Sequence, residues 1–238
     1  MIRKYLFLIL IVSALFGNEI QEARALVEST NRTILSSEIG GKIISLSKNN
    51  GDYFKKGQVL VEIDCAIYKA EKEKIKVKRD LTKIKLEKNI QLQKYNSVGK
   101  FEVQTSKLEL KEQNLALNIA EINVSRCHIK APYTGRVVQR IANQYQNIKP
   151  QEELLEIVSS NSLEVRAVVP ATWISWLTIG QNISIIIDEL DLQIKSKVLQ
   201  IDSVVDPKSQ TINIRAKINS KEKIIAGMSA TVQFKENQ

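Results

Sequence analysis

Two cysteines and a single histidine are the residues with the greatest scope for chemistry in this 238-residue chain. Cys127 and His128 are adjacent, but no further Cys or His lies near them in the sequence, so an isolated histidine is favoured over a zinc ligand. A soft-metal site would need Met or Cys ligands, and the only methionines are Met1 and Met228. The acidic residues are scattered among lysines, and no glycine-rich phosphate loop is present. We therefore expect neither an enzyme nor a cofactor or metal site.

The positions of the two cysteines suggest a disulfide instead. Cys65 and Cys127 border a segment, residues 65–126, that is rich in Lys, Glu, Leu and Ile and contains one glycine and no proline. This composition indicates helix. If two helical arms reverse near Val98, they span 33 and 29 residues, and the two cysteines end level with each other. A bond requires Cα atoms within about 7 Å; the alternative is two unpaired thiols packed as small apolar residues.

The stretches on either side of this segment repeat each other at an offset of 94 residues. Gly41-Lys42-Ile43-Ile44 matches Gly135-Arg136-Val137-Val138, and Leu60-Val61-Glu62-Ile63 matches Leu154-Leu155-Glu156-Ile157. Apolar positions and turn residues recur without insertion. The repeat therefore predicts two half-motifs that pack together as one β-unit, residues 39–64 and 127–159, with the helical segment inserted between them.

The second helical arm carries two apolar ladders with a spacing of seven residues. Residues two apart on an α-helix are rotated by about 200°, so the ladders lie on nearly opposite faces. We expect one ladder to pack on the first arm, near Val77, Leu81 and Ile84, and the other to contact neighbouring copies. The alternative is a helix buried on both sides within its own fold. The expected inner ladder is Phe101, Leu108, Leu115 and Ile122, and the expected protomer–protomer ladder is Val103, Leu110, Leu117 and Val124.

The basic charge of the chain is concentrated in the first arm. The formal net charge is +9, and residues 66–96 hold ten Lys or Arg against four Asp or Glu. A basic stripe can indicate nucleic-acid binding. Here it lies on a periodic helix without aromatic residues for base stacking, so a solvated helix face is favoured and no nucleic-acid partner is expected.

The first residues have the pattern of a secretory signal. Arg3 and Lys4 precede an apolar run over residues 5–16. Its apolar core, about 12 residues, is shorter than the roughly 20 that a spanning helix needs. We expect residues 1–17 to be a cleaved signal peptide, with retention as a membrane anchor as the alternative. Export to an oxidising compartment would permit the disulfide.

The C-terminal part alternates apolar and polar residues between turns, which predicts a small β-barrel over residues 160–238. We expect residues 18–38 to contribute strands to the same barrel. Trp173 and Trp176 are three apart on a short helical turn, a spacing more typical of a plug for a barrel end than of a ligand site. The fold class predicted is therefore mainly β, with an α-helical hairpin.

In this order the elements resemble the periplasmic adaptor subunits of tripartite efflux pumps, the membrane fusion proteins also called HlyD-like or RND adaptors. The resemblance rests on residues 41–64, 129–138 and 202–228. It implies a split lipoyl-like β-domain, a hairpin coiled coil, a β-barrel and a location in the periplasm, peripheral to the inner membrane. The implied partners are an inner-membrane RND-type transporter and an outer-membrane TolC-like channel, with three or six copies of the chain. An adaptor of an ABC-type exporter or type I secretion system, and a coiled-coil envelope protein without transport role, are the alternatives.

The chain departs from this family pattern in two places, and it also lacks the residue that a covalent carrier with a lipoyl-like fold would need. A fourth, membrane-proximal domain is expected to be absent or vestigial. Asp64 is followed by Cys65 where a lipoate or biotin carrier would have Lys, which argues against covalent carrier function. The Arg, Leu and Ser that engage the channel at the hairpin tip of pump adaptors are replaced by Gln91, Tyr95 and Glu102. The resemblance still implies a channel contact at the tip, formed by Gln91, Tyr95, Asn96, Ser97, Val98, Gly99, Lys100, Phe101 and Glu102.

Overall fold

The computed structural model of the chain describes residues 20–219 and 222–235. The predicted signal peptide, residues 1–17, lies outside the described residues. The described residues divide into two compact units, one formed by Ser29–Ser162 and the other by residues 20–28 together with the described residues from Leu163 onward. The described elements in chain order are β1 (Ile20–Ser29), β2 (Arg32–Ser36), β3 (Gly41–Leu46), β4 (Tyr53–Phe54), β5 (Val59–Ile63), α1 (Ala66–Lys94), α2 (Lys100–Ser125), β6 (His128–Lys130), β7 (Gly135–Arg140), β8 (Asn147–Ile148), β9 (Glu153–Ser159), β10 (Leu163–Pro170), a 3₁₀ helix (Ala171–Ser175), β11 (Asn182–Ile187), β12 (Leu192–Ile201), β13 (Thr211–Lys217) and β14 (Ser229–Lys235).

The first unit contains two four-stranded sheets related by the sequence repeat. The sheet orders are β2-β9-β7-β4 and β6-β5-β3-β8. Each strand of one sheet lies at the position of its counterpart 94 residues away in the other, so β4 pairs with β7 and β8 pairs with β3. The two halves therefore exchange strands, and neither half forms a sheet alone. The prediction of two half-motifs in one β-unit is confirmed.

Backbone hydrogen bonds repeat with the same offset. The N–H of Gly51 donates to the carbonyl of Val137 at 2.8 Å, and the N–H of Tyr145 donates to the carbonyl of Ile43 at 2.8 Å. Gly51 and Tyr145 are equivalent positions, and both have positive φ, 83° and 68°. Glycine adopts this conformation freely, whereas a tyrosine there is uncommon. The turn geometry is thus imposed by the strand exchange and not by the residue type.

One predicted boundary is wrong. Residues 18–38 were expected to join the barrel, and β1 does pair with β14 there, from Ile20↔Lys235 to Leu26↔Ser229. However, β2 pairs with β9 of the first unit. The physical reason is that the structural repeat begins before Gly41. β2 is the counterpart of β6, and β2 pairs with β9 in the same way that β6 pairs with β5.

The second unit is a closed six-stranded barrel in the order β1-β10-β13-β12-β11-β14. Alternate side chains point inward, as in β10, where Leu163, Val165 and Ala167 are buried. The 3₁₀ helix places Trp173 and Trp176 against Phe234, with ring centroids 5.2 and 6.1 Å away. Both tryptophans are partly buried and pack on the barrel core, in the manner of the predicted plug.

Candidate functional site: the helical hairpin

The insert between the two halves of the β-unit forms a hairpin of two long helices. Neither α1 nor α2 contains proline or glycine; Gly99 only caps the N-terminus of α2. The backbone hydrogen bonds of both helices are therefore uninterrupted. α1 has 29 residues, which corresponds to roughly 44 Å at 1.5 Å per residue. The helices run antiparallel: Nζ of Lys85 lies 2.8 Å from Oε2 of Glu109, and Nζ of Lys72 lies 4.0 Å from Oε1 of Glu121.

The face of α2 that meets α1 has a regular spacing of three and four residues. We call this face the seam. It consists of Val103, Ser106, Leu110, Gln113, Leu117, Ala120 and Val124, all of which are buried or half-buried. Two of its buried positions are polar, Ser106 and Gln113. Asn89 of α1 donates to Oγ of Ser106 at 2.7 Å.

The structure reverses the predicted assignment of the two ladders. The predicted protomer–protomer ladder, Val103, Leu110, Leu117 and Val124, lies in the seam. Of the predicted inner ladder, Phe101 is 81% exposed and Leu115 is 57% exposed. The reason is that the seam is completed by small and polar residues, Ser106, Gln113 and Ala120, which an apolar count does not detect. The available signal was the spacing of seven between Ser106, Gln113 and Ala120, with small residues at the first and last of these positions that allow two helices to approach closely.

Both helices carry an exposed apolar face on the side opposite the seam. The α1 outer face consists of Val77, Leu81 and Ile84, and the α2 outer face consists of Phe101, Leu108, Leu115, Ile119 and Ile122. The first set was expected to contact the second arm, and that expectation is also wrong. Leu81 is 63% exposed. Exposed apolar stripes on both outer edges of one hairpin indicate surfaces that contact another molecule.

The residues of the expected channel contact lie at or near the hairpin tip. Tyr95 and Phe101 are highly exposed and lie on either side of the reversal. The reversal itself differs from expectation: Asn96 has φ of 56°, whereas Gly99 is the extended residue before α2, with φ of −80°. Asn tolerates the left-handed region better than other non-glycine residues, so Gly99 is not needed for the turn.

The base of the hairpin is closed by the two cysteines. The structure joins Cys65 and Cys127 by a disulfide with Cα atoms 5.7 Å apart. Both cysteines are buried in the core of the β-unit. The N–H of Ile63 donates to the carbonyl of Cys127 at 2.8 Å, and Oδ1 of Asp64 accepts from the N–H of Ala66 at 3.0 Å. Both helix ends are therefore tied to strands at the same point.

The single histidine of the chain lies outside the hairpin, at the start of β6. His128 is half-exposed, and its Nε2 lies 4.0 Å from Oε1 of Glu62. Among the described residues, no group of three or more His, Cys, Asp or Glu is arranged to hold a metal ion. Within the same part of the chain, neither helix has the length and apolarity needed to cross a membrane.

Two family models match consecutive parts of the chain. The model described as "RND MFP, barrel-sandwich hybrid domain" matches residues 31–160, and "CusB-like, beta-barrel domain" matches residues 164–238. The chain belongs to the RND membrane fusion protein family. Members of this family are non-enzymatic periplasmic adaptors that oligomerise and work with inner-membrane transporters and outer-membrane channels.

Individual relatives of this membrane fusion protein are distant in sequence. Nodulation protein NolF of Rhizobium meliloti is 23% identical over 216 residues, covering 84% of this chain and 59% of NolF. An uncharacterised Haemophilus influenzae protein is 22% identical over 214 residues, covering 88% of this chain and 56% of that protein. This chain thus spans little more than half the length of both curated relatives. A MacA-MexA chimera containing the Pseudomonas aeruginosa MexA α-hairpin has a similar fold, with a TM-score of 0.79 at 20% identity over 93% of this chain and 82% of the chimera.

Proposed function

We propose that this membrane fusion protein is the periplasmic adaptor of a tripartite efflux pump. It links an inner-membrane RND-type transporter to an outer-membrane TolC-like channel, after export by a cleaved signal peptide. Its strand-exchanged unit serves as a lipoyl-like scaffold for the hairpin. The observation that carries the proposal is the hairpin with two exposed apolar outer faces, which lies within the residues matched by the barrel-sandwich hybrid model and precedes the matched barrel.

The outer faces support assembly of copies side by side. The Lys85–Glu109 contact places Leu81 within about one helical turn of the level of Leu115. The α1 outer face of one copy can therefore pack on the α2 outer face of the next at matching height. Because the two faces belong to different helices, the contact is heterologous and repeats around a ring. A ring of three or six copies removes both stripes from water.

The tip supports the channel contact. Tyr95 and Phe101 offer large apolar area at the end of the hairpin farthest from the disulfide, and Tyr95 adds a polar end. Lys100 and Glu102 add opposite charges beside them. A contact with an outer-membrane channel buries these side chains without using the Arg, Leu and Ser of other pump adaptors.

The assembly is tested by cross-linking in cells that contain the transporter and channel. Cysteines at Leu81 and Leu115 should yield dimers and higher species with a short bismaleimide, because the two positions lie on opposite edges of one hairpin. Cysteines at Lys83 and Lys107, which are exposed but outside both apolar faces, are the matched control. Tip positions Tyr95 and Phe101 should cross-link to the channel. Monomer alone at Leu81 and Leu115, or channel adducts only at barrel positions, would overturn the proposal.

A further inference from the structure

The barrel carries an open groove of about 580 Å³ that takes no part in the hairpin contacts of the proposed function. Its walls come from the residues just before β11, from the middle of β12 and from the end of β13. All of these belong to one compact unit.

The groove arises from the way β12 is paired. Residues Leu192 to Lys197 pair with β11, but pairing with β13 begins only at Val198, and a register shift follows before Gln200. The first half of β12 therefore diverges from β13. The hydroxyl of Ser196 bridges the gap by donating to the carbonyl of Lys217 at 2.7 Å. The opening is thus part of the barrel framework.

Positive charge is concentrated in the groove. Lys195, Lys197 and Lys217 line it, and no acidic residue does. Within the part of the chain that the structure describes, none of these lysines has a carboxylate within 4.0 Å. Glu164 is the Cα partner of Lys217 on β10, yet the two form no ion pair. Three ammonium groups without local neutralisation favour an anion.

The same groove is apolar at its rim. Ile179 is 68% exposed and Leu199 is 50% exposed, and both line the groove. A small soluble anion would contact the lysines and leave both apolar side chains in water. A phosphate group attached to an apolar body would satisfy both parts of the lining.

We propose that this groove binds the headgroup of an anionic phospholipid. The three lysines surround the lipid phosphate, and Ile179 and Leu199 contact the glycerol and upper acyl region. The interaction is electrostatic in large part, so it weakens as the salt concentration rises.

Vesicle flotation of the full chain tests this assignment. The protein should float with vesicles that contain phosphatidylglycerol and bind vesicles of phosphatidylcholine alone more weakly. K195Q/K197Q should lower the partition coefficient on the anionic vesicles by about 25-fold, roughly fivefold for each lysine removed. K78Q/K88Q on α1 removes the same charge at exposed positions that form no ion pair with another described residue, and it should change binding little. If the apolar N-terminal segment alone bound the vesicles, all variants would bind equally, and the proposal would be overturned.

A second variant and two competitors complete the test. I179S/L199S changes only exposed side chains and should weaken binding to anionic vesicles while leaving the thermal unfolding curve unchanged. Equal binding to both vesicle types, or equal losses in K195Q/K197Q and K78Q/K88Q, would overturn the proposal. So would displacement by free glycerol phosphate at the same phosphate concentration, which identifies a small-anion site, or preferential binding of a polyglutamate peptide.

Discussion

The side-chain amide of Asn89 donates a hydrogen bond of 2.7 Å to Oγ of Ser106 between the two helices of the hairpin. This contact lies on the same face of α2 as Val103 and Leu110, at the spacing of three and four residues that defines the seam. The seam therefore mixes apolar and polar layers, while the outer faces are apolar and exposed. The distribution of burial predicts which leucines hold the hairpin together and which hold copies together.

Leu110 and Leu117 should be required for the hairpin itself. We expect L110K/L117K to destabilise it by about 4 kcal/mol, because two lysines replace side chains packed between the helices. L108K/L115K, the matched pair on the outer face, should leave the chain folded and abolish assembly. Circular dichroism during urea denaturation measures the first effect and native mass spectrometry the second. If L110K/L117K stayed folded but no longer assembled, then Leu110 and Leu117 would contact neighbouring copies and the outer faces would not.

Gly135 should tolerate no side chain. A Cβ at this position would lie 2.0 Å from the carbonyl oxygen of Val158 and 2.9 Å from its carbonyl carbon, both backbone atoms of β9. We expect Gly135→Ala to destabilise the β-unit by about 3 kcal/mol, because the strand must move. Gly40→Ala is the control, since its nearest contact would be 3.4 Å away. Denaturant midpoints should separate the two variants; equal midpoints would show that β9 relaxes freely.

The disulfide should be present in protein isolated from the cell envelope. Thiol labelling of the unfolded chain without reductant should find no free cysteine, and labelling after reduction should find two. C65S/C127S should lose about 4 kcal/mol of stability in the chain-entropy model, for a sequence separation of 62 residues. Two free thiols before reduction would show that the protein does not carry the bond.

Two exposed carboxylates should make the barrel unit sensitive to acid. Backbone N–H groups of Ser209 and Lys208 lower the pKa of Asp206 from 3.8, and the N–H of Ser229 lowers the pKa of Glu189 from 4.5. A depressed folded-state pKa contributes stability above the unfolded-state value, and this is lost as the pH falls through the folded-state value. Below about pH 4.5, unfolding temperatures should therefore fall less steeply in D206N/E189Q than in the parent. Parallel pH profiles would contradict this.

The sequence predicted those features that depend on regular patterns. The repeat that begins at Gly41 and Gly135 predicted the β-unit, and the helical insert between the cysteines predicted the hairpin. The role of β2 was missed because residues 32–36 share almost no residue types with residues 126–130, although their backbones are equivalent. The helix faces were misassigned because both ladders are equally apolar, and only Ser106, Gln113 and Ala120 distinguish the seam. The turn was predicted at Gly99 because glycine is the usual residue with positive φ, whereas the structure has the positive φ at Asn96.

The bond between Cys65 and Cys127 makes the hairpin a closed covalent ring of chain. A protease that cuts once anywhere between these residues opens the ring but releases no fragment, because both new ends stay attached through sulfur. The exposed tip around Tyr95 can thus be nicked while the molecule remains one piece. Both helices keep their attachment to the strands at Ile63 and His128, so an adaptor damaged at its most accessible point retains the framework of its assembly surfaces.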